Sequence, residues 1–240
     1  MRLADLSWPD VAAHAAAGAI LAVPVGATEQ HGPHLPLSTD TDIALALCDR
    51  LAEKRPDVLV APAVAFGSSG EHAGFAGTLS IGQEATELLL VELGRSAAET
   101  FTRVLFVSAH GGNAAPVARA VARLRAESRD VEVFQPHWTG DPHAGRPETA
   151  LQLALRPNAV RMDRAVAGDR RPLGEVLPLL LNGGVRAVTA TGVLGDPTPA
   201  TASEGVALLD RLVVDLVSRV DRWCSATGSE LSTPGEVVPR

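Results

Sequence analysis

No tyrosine occurs in the 240 residues, so no mechanism that needs a phenol is open to this chain. Cysteine is nearly as scarce. Cys48 and Cys224 lie far apart, outside any metal-like spacing, and are expected to be the reduced thiols of a cytosolic protein rather than a disulfide. No apolar run approaches the roughly 20 residues that span a bilayer. The first five residues carry no extended apolar signal segment. The Ala-rich stretch at 15–22 resembles one superficially, but it leads straight into Val23-Pro24-Val25-Gly26 and reads better as a first buried strand. Positive charge is in the minority: 21 basic against 28 acidic side chains, mixed along the chain, give a net charge of −7. That balance excludes a nucleic-acid surface, which would be net basic. There is also no repeat, no low-complexity segment and no dividing linker. One domain is expected over residues 1–225, followed by a flexible polar tail at 226–240.

With 46% of its residues apolar, the chain can bury a substantial core. Short β-rich runs at 19–25, 58–66, 103–108 and 131–134 alternate with helical patterns at 42–54, 85–101, 113–126, 148–155, 173–181 and 203–223. Residues 185–193 are expected to be extended, and Asn113 suits a helix N-cap. This order defines an α/β fold with a mostly parallel sheet covered by helices on both faces. Ligands bind outside the carboxyl ends of such strands. Polar residues concentrate there, at 29–42 after the first strand and at 110–113 after another.

Four segments carry candidate chemistry. The first, residues 26–42, holds Glu29, His31, His34 and Asp40 in a loop whose path glycine and proline fix. Carboxylates offer hard oxygen donors and imidazoles the nitrogen favoured by Zn2+, Fe2+ or Mn2+. If the segment is extended, Glu29 and His31 point the same way. The alternative is a solvated loop with Asp40 capping the next helix. The second is Ser108-Ala109-His110-Gly111-Gly112-Asn113, which places a histidine over the sheet edge before two permissive glycines. It reads either as a site or as a plain strand-to-helix turn. A serine hydrolase is disfavoured, since no Gly-x-Ser-x-Gly elbow is present. The third, residues 141–150, sets His143 before Glu148 at a helix start, where the glutamate either serves the site or complements the helix dipole. The fourth is a Gly/Ser-rich loop holding Glu71 and His72, either a mobile substrate loop or a solvated one.

Taken together these segments resemble the creatininase (creatinine amidohydrolase) family. The resemblance rests on Thr-Glu-Gln-His-Gly-Pro-His-Leu-Pro at 28–36, Asp40, His-Gly-Gly-Asn from His110, His-Ala-Gly-x-x-Glu-Thr from His143, and the Glu71-His72 loop running into Gly77-Thr78. It implies a three-layer α/β/α domain and a homo-oligomer, commonly a hexamer. It also implies two divalent ions, Fe2+ or Zn2+ with Mn2+ also compatible. Glu29 and His110 would hold one ion, His31 the other, and Asp40 would bridge both. In creatinine-hydrolysing members a glutamate two residues after the equivalent of His110 completes the second ion's shell. Gly112 stands there in this chain, and Glu148 is the expected replacement.

A narrower resemblance is to the branch of the family that works in mycofactocin biosynthesis, carried by residues 70–82, 94–98 and 192–202. It implies a cytoplasmic peptidase that removes a C-terminal Val-Tyr dipeptide from a modified precursor peptide. Ser108-Ala109 and Ala150 depart from that branch, where Asn-Gly and Ser are common. His143 is the expected acid/base, because an imidazole titrates near working pH. Glu71 and His72 are expected to position substrate or relay protons, and the amides of Gly111 and Gly112 to face it. His34 is expected to orient a metal ligand rather than to be one, and Arg146 either binds a terminal carboxylate or serves the helix-opening turn. Two rivals remain: hydrolysis of a small cyclic amide or formamide, and a non-catalytic metal-binding scaffold.

Overall fold

The computed structural model describes residues 1–229. Strands β1 (Ile20–Val25), β2 (Val58–Val60), β3 (Arg103–Ser108) and β4 (Asp130–Phe134) form one parallel sheet in the order β2-β1-β3-β4. Val25 at the end of β1 lies opposite Ser108 at the end of β3. The chain winds first to one side of β1 and then to the other. The crevice outside these two strand ends is therefore the switch point at which open α/β sheets bind ligands.

Alternation along the strands feeds two separate cores. Ile20, Ala22, Leu105 and Val107 pack on one face with Leu47 of α2 (Thr39–Lys54), Leu151 of α5 (Arg146–Leu155) and Leu216 of α7 (Ala202–Ser229). Leu21, Val23, Val104 and Phe106 pack on the other with Leu90 of α3 (Gly82–Ala97) and Val117 of α4 (Ala114–Ala126). The result is a three-layer α/β/α fold in which β1 and the interior of β3 are apolar on both faces, as parallel strands covered by helices require, while the edge strand β4 turns Asp130 and Glu132 to Trp223 and Arg219 of α7. Each fully buried leucine contributes roughly 1.5–3 kcal/mol by leaving water. Close approach of α3 and α4 depends on Gly94, where a β-carbon would fall 2.4 Å from Leu124.

Several elements differ from expectation. A helix unassigned in the sequence, α1 (Trp8–Ala16), opens the chain, with Ser7 and Asp10 in a capping box and Pro9 in its first turn. Helix α2 begins three residues earlier than position 42, which places Asp40 in its first turn, where a carboxylate complements the helix dipole. Strand β2 stops at Val60 rather than 66, because Pro62 has no N–H to give; the chain rejoins β1 only through a bridge at Val64. Helix α3 ends at Ala97, not 101. Asn113 does not cap α4: its Oδ1 accepts from the Ser68 N–H at 2.9 Å and its Nδ2 donates to the Gly26 carbonyl at 2.9 Å. It ties the loops after β1 and β3 together.

Residues 185–193 are not a strand. After α6 (Leu173–Gly183) the chain turns at Gly184 and makes a short 3-10 turn at Val185–Ala187; extended pairing appears only at Leu194, which bridges His143 and Asp169. The closing helix α7 runs to Ser229, so the boundary expected at 225 falls inside it. The rest of the expected tail lies outside the described residues. Among those described, Cys48 is buried in the core and is not joined to Cys224 by a disulfide, and no helix is long and apolar enough to cross a membrane.

Candidate metal centre

The loops that leave β1 and β3 and the first turns of α2 and α5 bring Glu29, His31, Asp40, His110 and Glu148 into one buried cluster. Main-chain carbonyls orient the two imidazoles. Nδ1 of His31 faces the Glu29 carbonyl at 3.3 Å, which turns Nε2 to Oδ1 of Asp40 at 3.1 Å and Oε2 of Glu148 at 3.9 Å. Nε2 of His110 donates to the Ser68 carbonyl at 2.8 Å, which leaves Nδ1 3.3 Å from Oδ2 of Asp40. Fixing one imidazole nitrogen so that the other is presented is how proteins orient metal-binding histidines.

Two groups of donor atoms, each within 4.8 Å of one another, share a single residue: Glu29, Asp40 and His110 form one, and His31, Asp40 and Glu148 the other. Glu29, His31 and His143 form a third, overlapping group. Both carboxylate oxygens of Glu29 and Oδ2 of Asp40 are buried and accept no hydrogen bond. Imidazole nitrogens approach them at 3.2–3.3 Å without the alignment of one. An orphaned buried carboxylate is costly. Lone pairs that converge on shared points rather than on protein donors fit a bound divalent cation, and the oxygen and imidazole set suits zinc, iron or manganese.

Without metal, protons hold the cluster together. Burial opposes a charge on His31 and on His110, but Asp40 outweighs it, raising His31 to about 10 and His110 to about 9. Asp40 is held well below the carboxylate range: burial works against this, and the two imidazolium neighbours prevail. Glu29 is pushed up to about 8 and Glu148 to about 7, by burial first and also by the charge on Asp40.

Around this cluster stand the other expected residues. His143 is buried between His31 and His72, with ring centroids 4.4 Å from each, and burial followed by the charge on His31 pushes its pKa well down. His72 is lowered to about 3 for the same reasons, and its Nε2 lies 3.2 Å from Oε1 of Glu29. Glu71 is at the rim, its side chain 35% exposed and 3.7 Å from His110. These groups share a cavity of about 200 Å3 with Gly111, Gly112 and an apolar wall that includes Leu173 and Leu180 of α6. A neighbouring cavity of about 430 Å3 shares His110, Pro142 and Glu148 with it and extends past Trp138.

His34 is outside the donor groups; its Nε2 meets the Thr149 hydroxyl at 2.9 Å, beside Glu148 on α5. Arg146 pairs with Glu204 and lines a neighbouring cavity rather than the one beside the donor groups. Ala144, next to His143, holds the left-handed φ of +50°, a conformation that costs a non-glycine residue roughly 1–2 kcal/mol. There its N–H donates to Oε2 of Glu148 at 2.5 Å. Two residues given no role in the sequence also belong here. Gln30 contacts His72 and His143, and Asp141 accepts from Arg146 and Asp196 at 2.9 Å on either side of the His143 loop. No local spacing reveals either, because their partners lie up to 162 and 55 residues away.

An α/β/α fold with donor groups able to hold metal ions at its sheet edge defines the class, and the chain matches the creatininase (creatinine amidohydrolase) family over residues 4–220. It belongs to that family, and it is a hydrolase of amide bonds. Among its relatives is the mycofactocin precursor peptide peptidase of Mycobacterium tuberculosis, 51% identical over 218 residues, 85% of each chain. Among solved structures, a mutant creatininase of Zn-Zn type superposes with a TM-score of 0.81 at 25% identity, covering 92% of this chain and 97% of that one. A manganese creatininase does so with a TM-score of 0.80 at the same identity and coverage.

Proposed function

We propose that this chain is a metal-dependent peptidase of mycofactocin biosynthesis that releases a C-terminal Val-Tyr dipeptide from a modified precursor peptide. The observation that carries the reading is the pair of donor groups sharing Asp40, in a chain half identical to a peptidase of that name. Glu29, Asp40 and His110 would hold one divalent ion, and His31, Asp40 and Glu148 a second. Fe2+ and Zn2+ suit this donor set, as does Mn2+. Bound there, such ions supply a Lewis acid for the amide carbonyl and a water acidified towards neutral pH.

The chain's own residues do the rest. His143, neutral and inside the cavity, takes a proton as water adds to the amide carbon. It returns that proton to the amide nitrogen as the C–N bond breaks. His72 braces Glu29, and Glu71 at the rim meets the incoming peptide. The apolar wall from α6 accepts the peptide's side chains and excludes water. The same reading takes the chain as one metallohydrolase domain, acting in the cytoplasm as a homo-oligomer, with the hexamer as the expected state. Light scattering of the purified protein tests the last point.

The deciding experiment is turnover of a modified precursor peptide ending in Val-Tyr by metal-reconstituted protein, with products read by mass spectrometry. The intact dipeptide is expected, lost with chelator and restored by Fe2+ or Zn2+. A metal-loaded sample that leaves the peptide whole but opens creatinine would return the substrate to small cyclic amides. The 31% identity to the creatinine amidohydrolase of Pseudomonas putida keeps that second reading in view.

A further inference from the structure

Gln30 lies between Glu29 and His31, yet its buried side chain makes a hydrogen-bond set of its own. Two main-chain groups of invariable role fix its amide: Oε1 accepts from the Gly32 N–H at 2.9 Å, and Nε2 donates to the Gly192 carbonyl at 3.2 Å. The second Nε2 proton has two histidine nitrogens within reach, Nδ1 of His72 at 2.8 Å and Nε2 of His143 at 3.0 Å. Nε2 of His143 also lies 3.0 Å from the main-chain carbonyl of Gln30, which can only accept. That nitrogen must therefore carry a proton, and it has no lone pair for the amide. The acceptor of the amide is Nδ1 of His72. The proton of His72 is then on Nε2, which faces Oε1 of Glu29 at 3.2 Å. The free lone pair of His143 is left on Nδ1.

Glycine at 192 makes this arrangement possible. A β-carbon there would fall 1.9 Å from Oε1 of Gln30, and the backbone has a φ of +81°. Only a residue without a side chain lets the amide sit against this turn.

We propose that Gln30 is the positioning residue that sets the tautomers of His72 and His143, so that Nδ1 of His143 is the nitrogen that moves the proton in amide hydrolysis. Nδ1 accepts a proton from the attacking water as the carbon–oxygen bond forms. It passes that proton to the amide nitrogen as the carbon–nitrogen bond breaks, with one water consumed. The proton-transfer half rests on the hydrolytic reading above; the tautomers do not.

The test is long-range 1H–15N spectroscopy of protein labelled in histidine, metal-free and zinc-loaded, beside steady-state kinetics. In the wild type both His72 and His143 are expected as Nε2–H tautomers. Gln30→Met keeps the size of the side chain but removes its donors and acceptor. It is expected to mix the His72 tautomers and to lower kcat on the order of 10–100-fold, with KM within about twofold and zinc content unchanged. Gln30→Glu places an acceptor against Nδ1 of His72 and is expected to switch that ring to Nδ1–H. A wild-type His72 protonated on Nδ1 overturns the proposal, as does a folded Gln30→Met variant with wild-type tautomers and kcat. Should Gln30→Met not fold, the wild-type spectrum and Gln30→Glu decide. Nε2–H tautomers in a protein that leaves the Val-Tyr peptide uncut would support the assignment and overturn only the substrate.

Discussion

A β-carbon on Gly112 would stand 2.3 Å from Oε1 of Glu71, so the glutamate occupies space that a side chain at 112 would need. The same β-carbon would lie 2.3 Å from the Ser68 carbonyl and 2.5 Å from Nε2 of His110, the two partners of the hydrogen bond that orients His110. Creatinine-hydrolysing members are expected to carry a glutamate at this position; here Glu148 approaches the cluster from α5 instead. Gly112→Ala is therefore expected to lower bound metal and turnover by at least about tenfold, the usual cost of disturbing a ligand's orientation. Glu71 is half free to swing outwards, whereas the Ser68 carbonyl is backbone. Adding Glu71→Ala should thus recover little. A double variant with wild-type turnover and metal content would show that Glu71, and not the Ser68–His110 contact, is what the glycine makes room for.

Because Asp40 belongs to two of the three donor groups and Glu148 to only one, their removal should differ in kind. Asp40→Ala is expected to bind neither ion tightly and to lose turnover. Glu148→Ala should retain close to one ion per chain, held by Glu29, Asp40 and His110. Elemental analysis after dialysis against buffered zinc reads both. Equal metal content in the two variants would contradict a shared Asp40.

His143→Ala removes a group that the donor pair does not need, so metal content is expected to persist while kcat falls on the order of 10²–10⁴-fold, the range for a lost general acid–base. The substitution also empties the space between His31 and His72, which stack on His143 at 4.4 Å. His143→Gln is the better-filled companion, and the loss should appear in both. Turnover within a fewfold of wild type in either variant would take His143 out of the chemistry.

The cluster was legible in the sequence because each donor stands in a local motif just after a strand or at a helix start. The β-α-β order alone tells which loops meet at the sheet's carboxyl edge. What escaped was non-local or hidden by chemistry. Asn113 has the composition of an N-cap, but its amide is claimed by Gly26 and Ser68, partners 87 and 45 residues away. Residues 185–193 are rich in β-branched side chains, yet Gly184 and Gly192 turn the chain through positive φ and leave only Leu194 paired. Helix α1 did carry its signal, Pro9 and the Ser7–Asp10 capping box. The alanine run expected to lie in the first strand is divided: Ala15 and Ala16 end α1, and β1 begins only at Ile20.

Metal binding should release protons. In the metal-free cluster His31 and His110, raised to about 10 and about 9, are both charged at pH 7, and Glu29, at about 8, is largely protonated. Ligation needs neutral imidazoles and ionised carboxylates, so every ion that enters displaces protons. Affinity is therefore expected to fall as pH drops from 8 to 6, by about tenfold per pH unit for each proton displaced. Zinc titrations in two buffers of different ionisation enthalpy count the protons directly. Equal heats in the two buffers would mean that the cluster is already deprotonated.

His34 tests the same electrostatics through folding rather than binding. Its pKa is lowered to about 4, chiefly by burial and then by the charge on His31, against about 6.5 in an unfolded chain. A base with a depressed folded-state pKa binds its proton better when unfolded, so stability falls as pH drops through the window from about 6.5 to 4. Buried His72 and His143 act in the same direction. In chelator-treated protein His34→Gln, which keeps a polar group near Thr149, should make urea-derived stability fall less steeply in that window. The reduction is expected to reach about 1.4 kcal/mol per pH unit, the equivalent of one proton. An unchanged slope would mean that His34 is already protonated in the folded state, with its ring donating to Thr149 as a cation.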